Sequence, residues 1–393
     1  MSATGPLLVF GPRSATYDFG PDHPLTPRRF GPGISLLEEL GATPGLAPEP
    51  APDDVLRWAH EADYVEIVKA FSADPDRAWQ AGIGPGDTPA FAGMHAASAA
   101  VAGGSVAAME AILSGEVEHA FHPGGGLHHA MPSRASGFCV YDDPALAILR
   151  ARRDGHRVMY VDLDVHHGDG VQRICWDDPG VLTVSIHETG RALFPGTGFV
   201  DELGGPHARG TKVNLPLDPG TGETGWLAAL RLVLPELAEQ FRPGIVVSQH
   251  GSDCHAFDPL AHLQVTTTAM GEAARLVDSL AHRWAGGRWL ATGGGGYAIY
   301  RVVPRAWALV WLAGAHRDVP AALPPAWRAR WARDAERERG VELPLTFEDP
   351  PNAGLPYGSR DEAADRRSLA VAEQALAAVR AAGGPAAGRP AAD

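Results

Sequence analysis

Four short runs rich in β-branched residues, VMYVDLD, VLTVSIH, GIVVSQHGSD and RWLATGGGG, each end in Gly, His or Asp. Between and around them lie longer Ala- and Leu-rich stretches with apolar residues at helical spacing, over 91–113, 224–241, 268–284 and 302–312. Short apolar strands alternating with amphipathic helices predict an α/β fold, a mostly parallel central sheet with helices on both faces. In open sheets of this kind, ligands bind beyond the carboxyl ends of the strands. The polar clusters of this chain fall at those ends. No internal repeat is visible, and one domain over 1–380 is expected. The segment 381–393, AAGGPAAGRPAAD, has the Ala/Gly/Pro bias of a disordered tail. PPAWRARWARDAERERG, over 324–340, is a charged, Trp-bearing, helix-like stretch outside the sheet. Packing on the core and an oligomer contact are both open to it.

Composition narrows the partners. With 45% hydrophobic and 20% charged residues among 393, the chain has ample core material. A net charge of −14 and a pI near 5.6 argue against a nucleic-acid groove or an anionic membrane surface. No uninterrupted apolar run approaches the roughly 20 residues of a membrane span. The start, MSATGPLLVFG, lacks the basic opening and long apolar stretch of a secretory signal. Cys139, Cys175 and Cys254 are far apart and form no CxxC, so local pattern gives neither a sulfur zinc site nor a disulfide framework. A reducing cytoplasm is the expected compartment.

The densest chemistry is VDLDVHHGDG, 161–170, at the end of the apolar run RVMYV. Side chains alternate along a strand, so Asp162, Asp164 and His166 are expected on one side. An Asp and a His two residues apart on one face reach a single metal ion. Ionised Asp162, Asp164 and Asp169 would repel one another unless a cation or strong hydrogen bonds compensated them. A solvated turn, the bland alternative, has no use for two adjacent histidines among three acids.

Three further segments complete the pattern. HPGGGLHHA sets His128 beside His129 after three glycines, which let a backbone approach a ligand closely. Alone, such a pair is as readily a surface accident. Beside VDLDVHHGDG, Asp162 and Asp169 can each accept a hydrogen bond from an imidazole, fixing its tautomer and raising its basicity. GSDCHAFDP supplies Asp253 after a strand, either as an N-cap or as the third ligand beside Asp164 and His166. Two carboxylates and one imidazole leave positions for water and a substrate oxygen. GGGGY, 293–297, lacks the following GKS/T of a phosphate loop. A loop delivering the Tyr297 hydroxyl to a developing oxyanion is the better reading.

In this order and spacing the segments resemble the histone-deacetylase superfamily of metal-dependent amidohydrolases. The likeness runs from YDFGPDHPLTPRR (17–29) through GGLHHA, SGFCVYDD, VDLDVHHGDGVQ, HETGRALFPGTGF and SQHGSDCHAFDPLAH to GGGGY, roughly 15–320. HETGRALFPGTGF and SQHGSD look most similar to the bacterial acetoin-utilisation (AcuC-type) branch. The resemblance implies the arginase/deacetylase fold and a role for each matching position. Asp164, His166 and Asp253 match zinc ligands. His129 matches the general base and His128 its protonated partner, with Asp169 and Asp162 bonded to them respectively. Tyr297 matches the residue that polarises the scissile carbonyl. Phe138 and Phe194 match the walls of an acyl-lysine tunnel, with Gly137 and Leu260 among the substrate-binding positions and Asp87 as the rim carboxylate. Arg29 and Leu127 match an acetate-release channel, although eukaryotic class I enzymes usually carry Trp at the position of Leu127. A structural potassium ion would take Asp162, the carbonyls of Asp164 and His166, Ser185 and the carbonyl of Ile186. A second cation site is less well matched at Cys175, Asp178 and Val181. Ala298 stands where the family often has Asn or Asp.

The activity so implied is hydrolysis of N-ε-acetyl-lysine on proteins with release of acetate, using Zn2+, although this ligand set also suits Fe2+. An acetyl-CoA synthetase is the partner implied by the AcuC-type likeness. Three rivals stand beside it. Deacetylation of small acetylated polyamines calls for an acidic gatekeeper seven residues beyond Asp253, where this chain has Leu260. A binuclear arginase-like site needs further carboxylates, where Gly168 and His255 stand. A binding protein that recognises acetyl-lysine without cleaving it would not need His129 and Tyr297. The physiological substrate, the oligomeric state and a role for His167 are left open by the sequence.

Overall fold

The computed structural model describes residues 5–338, 340–350 and 362–385. Eight strands form one sheet: β1 (Leu7–Val9), β2 (Pro44–Leu46), β3 (His119–His122), β4 (Val158–Asp162), β5 (Val181–Glu188), β6 (Lys212–Leu217), β7 (Ile245–Gln249) and β8 (Trp289–Thr292). Their order is β2-β1-β3-β8-β7-β4-β5-β6, and every pairing is parallel. All eight carboxyl ends therefore face one way. This sheet, covered on both faces, is the arginase/deacetylase architecture expected from the sequence.

The two-residue period of the strands explains the two cores. Val158, Tyr160, Ile245, Val247 and Leu290 enter one apolar cluster with the helices Met94–Leu113 and Asp143–Arg153. Their alternates Met159, Val161, Val246, Trp289 and Ala291 enter the other, with the helices Phe30–Glu39, Glu223–Phe241, Thr267–Ala285 and Val303–Gly314. A third cluster lies beyond the carboxyl ends of the strands. There Tyr17, Leu25, Leu56 and Tyr64 pack with Leu127 and Cys139, and Phe138 and Tyr297 lie against them.

The helix Pro325–Arg337 packs on the core. Trp327 is buried and donates its indole N–H to Pro32 O at 2.9 Å, and Trp331 donates to Ser35 Oγ at 2.8 Å. The helix Glu362–Ala381 lies along Glu223–Phe241, and the turn after it is described to Pro385; 386–393 lie outside the described residues. Met94–Leu113 is apolar and long enough, by length and composition, to cross a membrane, although Ser, Gly and Glu interrupt its apolar run. Here 61% of its apolar window is buried inside the fold, as a core helix would be.

Candidate active site

Strand β4 stops at Asp162, earlier than a strand carrying Asp162, Asp164 and His166 by alternation. The backbone beyond it bends instead, and the aspartates hold the bend. Asp162 Oδ1 accepts the Asp164 N–H at 3.2 Å, and Asp164 Oδ1 accepts the His166 N–H at 3.0 Å. These two-residue turns are the usual way an Asp side chain organises backbone just after itself. They bring Asp164 and His166 to one place without a strand.

Asp253 joins them from the loop after β7. Its Oδ1 accepts the Val165 N–H at 3.1 Å, so it braces the neighbouring loop and does not cap its own segment. His166 Nδ1 lies 3.0 Å from Asp164 Oδ1 and 3.2 Å from Asp253 Oδ2. One donor atom from each of the three residues falls within 4.8 Å of the others, and all three side chains are buried. Asp253 Oδ2 is buried and, apart from the approach of His166 Nδ1, has no hydrogen-bond partner among the described residues. Burial and the adjacent Asp164 push the Asp253 carboxyl up to about 6. Asp164, equally buried, is held well below the usual range by His128 and His166. A pair of dry carboxylates with an orphaned oxygen and one imidazole fits a divalent cation with nitrogen and oxygen donors.

The support around this triplet comes mostly from residues the sequence did not single out. Gln249 Nε2 donates to Asp164 Oδ2 at 2.7 Å, and the Gly295 N–H donates to the same oxygen at 2.8 Å. A Cβ on Gly295 would lie 1.9 Å from Asp253 Oδ2, so the glycine run after β8 is there for close approach. Asp143 accepts the Gly126 and Leu127 N–H groups at 2.8–3.1 Å and so fixes the loop that carries the paired histidines. Asp258 Oδ2 accepts the Tyr297 N–H at 2.8 Å. Asp143 lies in SGFCVYDD and Asp258 in GSDCHAFDP, but neither has a spacing partner that would have marked it.

His129 Nδ1 lies 2.6 Å from Asp169 Oδ1, and His128 Nδ1 lies 2.8 Å from Asp162 Oδ2. The two rings are 4.0 Å apart. Burial opposes charge on both, but the outcomes differ. Around His128 the field of Asp162, Asp164 and Asp169 overrides burial and pushes its pKa up to about 10. At His129 burial and the neighbouring His128 charge outweigh Asp169 and lower it. The pair is therefore one cationic and one neutral imidazole, each oriented by its own carboxylate.

A narrow pocket leads to these groups, lined by Leu127, His128, His129, Gly137, Phe138 and Tyr297 among others. Phe138 meets Tyr297 edge-on at 6.0 Å, and Phe194 meets His129 edge-on at 5.0 Å and is 43% exposed. The Tyr297 phenol is raised well above its ordinary value by burial and then by Asp253, Asp164 and Asp258, which keeps it a hydrogen-bond donor. Asp87 is exposed, and its Oδ2 accepts the Gly137 N–H at 2.8 Å. Arg29 is buried behind the glycine run, donating to Gly294 O at 2.7 Å, with the ring of Trp307 5.6 Å from its guanidinium carbon. Leu260 is half-buried with its N–H on Asp258 Oδ1, and it does not line this pocket.

The positions expected around a structural cation are partly gathered. The β4–β5 register sets Asp162 beside Ser185, with buried Ile186 next along. Ser185 Oγ lies 2.8 Å from His187 Nδ1, and Asp162 Oδ2 also accepts the Tyr160 hydroxyl at 2.8 Å. Of the second set, Asp178 pairs with Arg152 at 2.9 Å, while Cys175 and Val181 are buried in the core. His167 has a place: its Nδ1 meets Thr197 Oγ1 at 2.8 Å and its ring lies 4.8 Å from that of His187. Burial pushes it down to about 3, so it is a neutral member of the buried polar layer beneath the site.

Comparison with known proteins agrees with this geometry. The histone deacetylase domain model matches residues 23–313. The acetoin utilization protein AcuC of Bacillus subtilis is 40% identical over 381 residues, covering 95% of this chain and 97% of that protein. Its namesake from Staphylococcus aureus is 39% identical over 312 residues, 78% of this chain and 80% of that one. Among solved structures, an HDAC homolog complexed with SAHA superposes with a TM-score of 0.80 at 28% identity, covering 95% of this chain and 100% of that one. An HDAC homolog from Aquifex aeolicus gives 0.78 at the same identity and coverage.

Proposed function

The chain belongs to the histone deacetylase family, and from that premise we propose that it hydrolyses N-ε-acetyl-lysine on proteins to lysine and acetate. The observation that carries the reading is the pair of His–Asp contacts, at 2.6 and 2.8 Å, beside a three-residue ligand set at the base of a narrow pocket.

Asp164, His166 and Asp253 would hold a catalytic zinc ion, and Fe2+ suits the same donors. Bound there, the metal supplies a Lewis acid for the amide oxygen and a lowered pKa for water. The rest falls to the chain's own side chains. Neutral His129, held by Asp169, takes the proton of the attacking water and then passes it to the leaving amine. Cationic His128, held by Asp162, adds positive potential next to the developing oxyanion. The Tyr297 hydroxyl donates to that oxyanion without adding charge. Phe138 and Phe194 flank the alkyl chain of the acyl-lysine, and Asp87 with Gly137 lies at the rim. Arg29 and Leu127 line the way out for acetate.

One catalytic metal in this pocket is supported by the lack of room for a second carboxylate set beside it. A Cβ at Gly168 would lie 2.1 Å from Asp162 Oδ2, and His255 is engaged by Asp349 at 2.8 Å. A potassium ion at Asp162, Ser185 and the carbonyls of Asp164, His166 and Ile186 is a further part of the reading, supported by the β4–β5 register. Three free, buried cysteines suit a reducing bacterial cytoplasm, and an acetylated acetyl-CoA synthetase is the substrate protein we favour. The test is a direct competition of classes. Initial rates on an acetyl-lysine peptide and on N-acetylspermidine are expected to favour the peptide, and preference for the polyamine would replace this substrate assignment.

A further inference from the structure

At the opposite end of the sheet four side chains converge that the reaction does not use. His119 opens strand β3, Asp278 and His282 stand one turn apart on the helix Thr267–Ala285, and His316 follows the helix Val303–Gly314. His119 Nε2 lies 2.9 Å from Asp278 Oδ1, and His316 Nε2 lies 3.3 Å from the same oxygen. His282 Nε2 is 3.5 Å from that oxygen and 3.1 Å from His316 Nε2. One donor atom from each of the four residues lies within 4.8 Å of the others.

We propose that these four residues form a second metal site, a closed His3Asp site for a divalent transition ion, with Zn2+ as the favoured occupant. The spacing supports it. Ligands about 2.0–2.1 Å from zinc at the corners of a tetrahedron stand about 3.3–3.4 Å from one another. Four of the six edges are given by the contacts above, 2.9, 3.1, 3.3 and 3.5 Å, and all four donor atoms lie within 4.8 Å of one another. The donor types are those that borderline transition ions take. Three imidazole nitrogens converge on one carboxylate oxygen, and two of them lie at hydrogen-bond distance from each other, a convergence of lone-pair donors that a cation would use.

Two independent features point the same way. His316 has φ +51°, the left-handed conformation after a helix end that Gly ordinarily takes. A residue with a Cβ is held there, and its ring stands in the cluster. His119 is wedged edge-on against buried Trp289 at 5.7 Å, which fixes its ring. His282 and His316 are about half-exposed, so an ion has a path in from solvent. Four protein donors fill a tetrahedron and leave no position for substrate, so the site would be a structural clasp. It would tie the start of β3 to the ends of two helices far away in sequence.

The experiment counts metal. Chelator-stripped protein is reloaded with Zn2+, freed of excess and analysed for zinc per chain; Co2+ loading gives the visible absorption of the same sites. Two equivalents are expected in the wild type, one in Asp253→Ala and one in His282→Ala/His316→Ala, whose substitutions are at the surface. The tetrahedral Co2+ bands should survive Asp253→Ala and vanish with the histidine pair. A wild type holding a single equivalent that Asp253→Ala removes would overturn the proposal. So would a second equivalent that persists in His282→Ala/His316→Ala. Neither result touches the reading of the catalytic pocket.

Discussion

The two ends of strand β3 lead to two clusters of similar size and different design. At the carboxyl end, two carboxylates and one imidazole are buried, and Gln249, the Gly295 N–H and the Val165 N–H hold the spare carboxylate lone pairs. At the amino end, buried His119 and partly buried Asp278 meet the exposed His282 and His316, hydrogen-bonded chiefly to each other. The first set has too few donors to satisfy a metal and is surrounded by proton-handling dyads. The second has enough donors to close a tetrahedron. An incomplete ligand set with an elaborate surrounding is the mark of chemistry, and a complete one without it is the mark of a clasp.

That contrast breaks most sharply at His129. Its replacement by Ala removes general acid–base catalysis and is expected to lower kcat by about 10²–10⁴-fold, read from acetate release with zinc content unchanged. A variant that turns over at wild-type rate would move the base elsewhere. Tyr297→Phe deletes one oxyanion donor and should lower kcat by about 10²–10³-fold with little change in KM. Gln249→Ala, acting through Asp164, is expected to weaken metal affinity by about 10–100-fold. Chelator titration of activity measures that loss, with kcat recovering at saturating metal. At the other end, His282→Ala should leave kcat within about twofold and abolish the second site's share of the zinc-dependent thermal stability, the share that Asp253→Ala retains. That share is about 2–3 kcal/mol when free zinc stands near a hundred times Kd, and calorimetry with and without zinc reads it.

The sequence exposed the catalytic end far better than the other, for physical reasons. Asp164 and His166 are two residues apart and Asp253 follows an apolar strand, so local spacing announces the ligands. The buffering groups Gln249, Asp143 and Asp258 sit inside motifs without any repeat to betray them. Of the amino-end cluster, only Asp278 and His282 are neighbours on a helix; His119 arrives from 159 residues away. Strands behave likewise. β4, β5, β7 and β8 read as apolar runs, but β1 and β2 have three residues each. β6 carries Lys212, buried with its ammonium donating to Val181 O at 2.7 Å, which no hydropathy pattern would place in a sheet. Helix Met94–Leu113 was legible as a helix from its apolar spacing.

In the proposed reaction the carboxyl-end cluster cleaves an acyl-lysine amide through His129. The most direct measurement is acetate released from an acetyl-lysine peptide by metal-loaded wild type and by His129→Ala, with peptide binding followed in the same samples. One acetate per lysine unmasked is expected from the wild type, and bound but uncleaved peptide with the variant. Peptide bound by the wild type without acetate release, or full turnover by His129→Ala, would contradict that reaction.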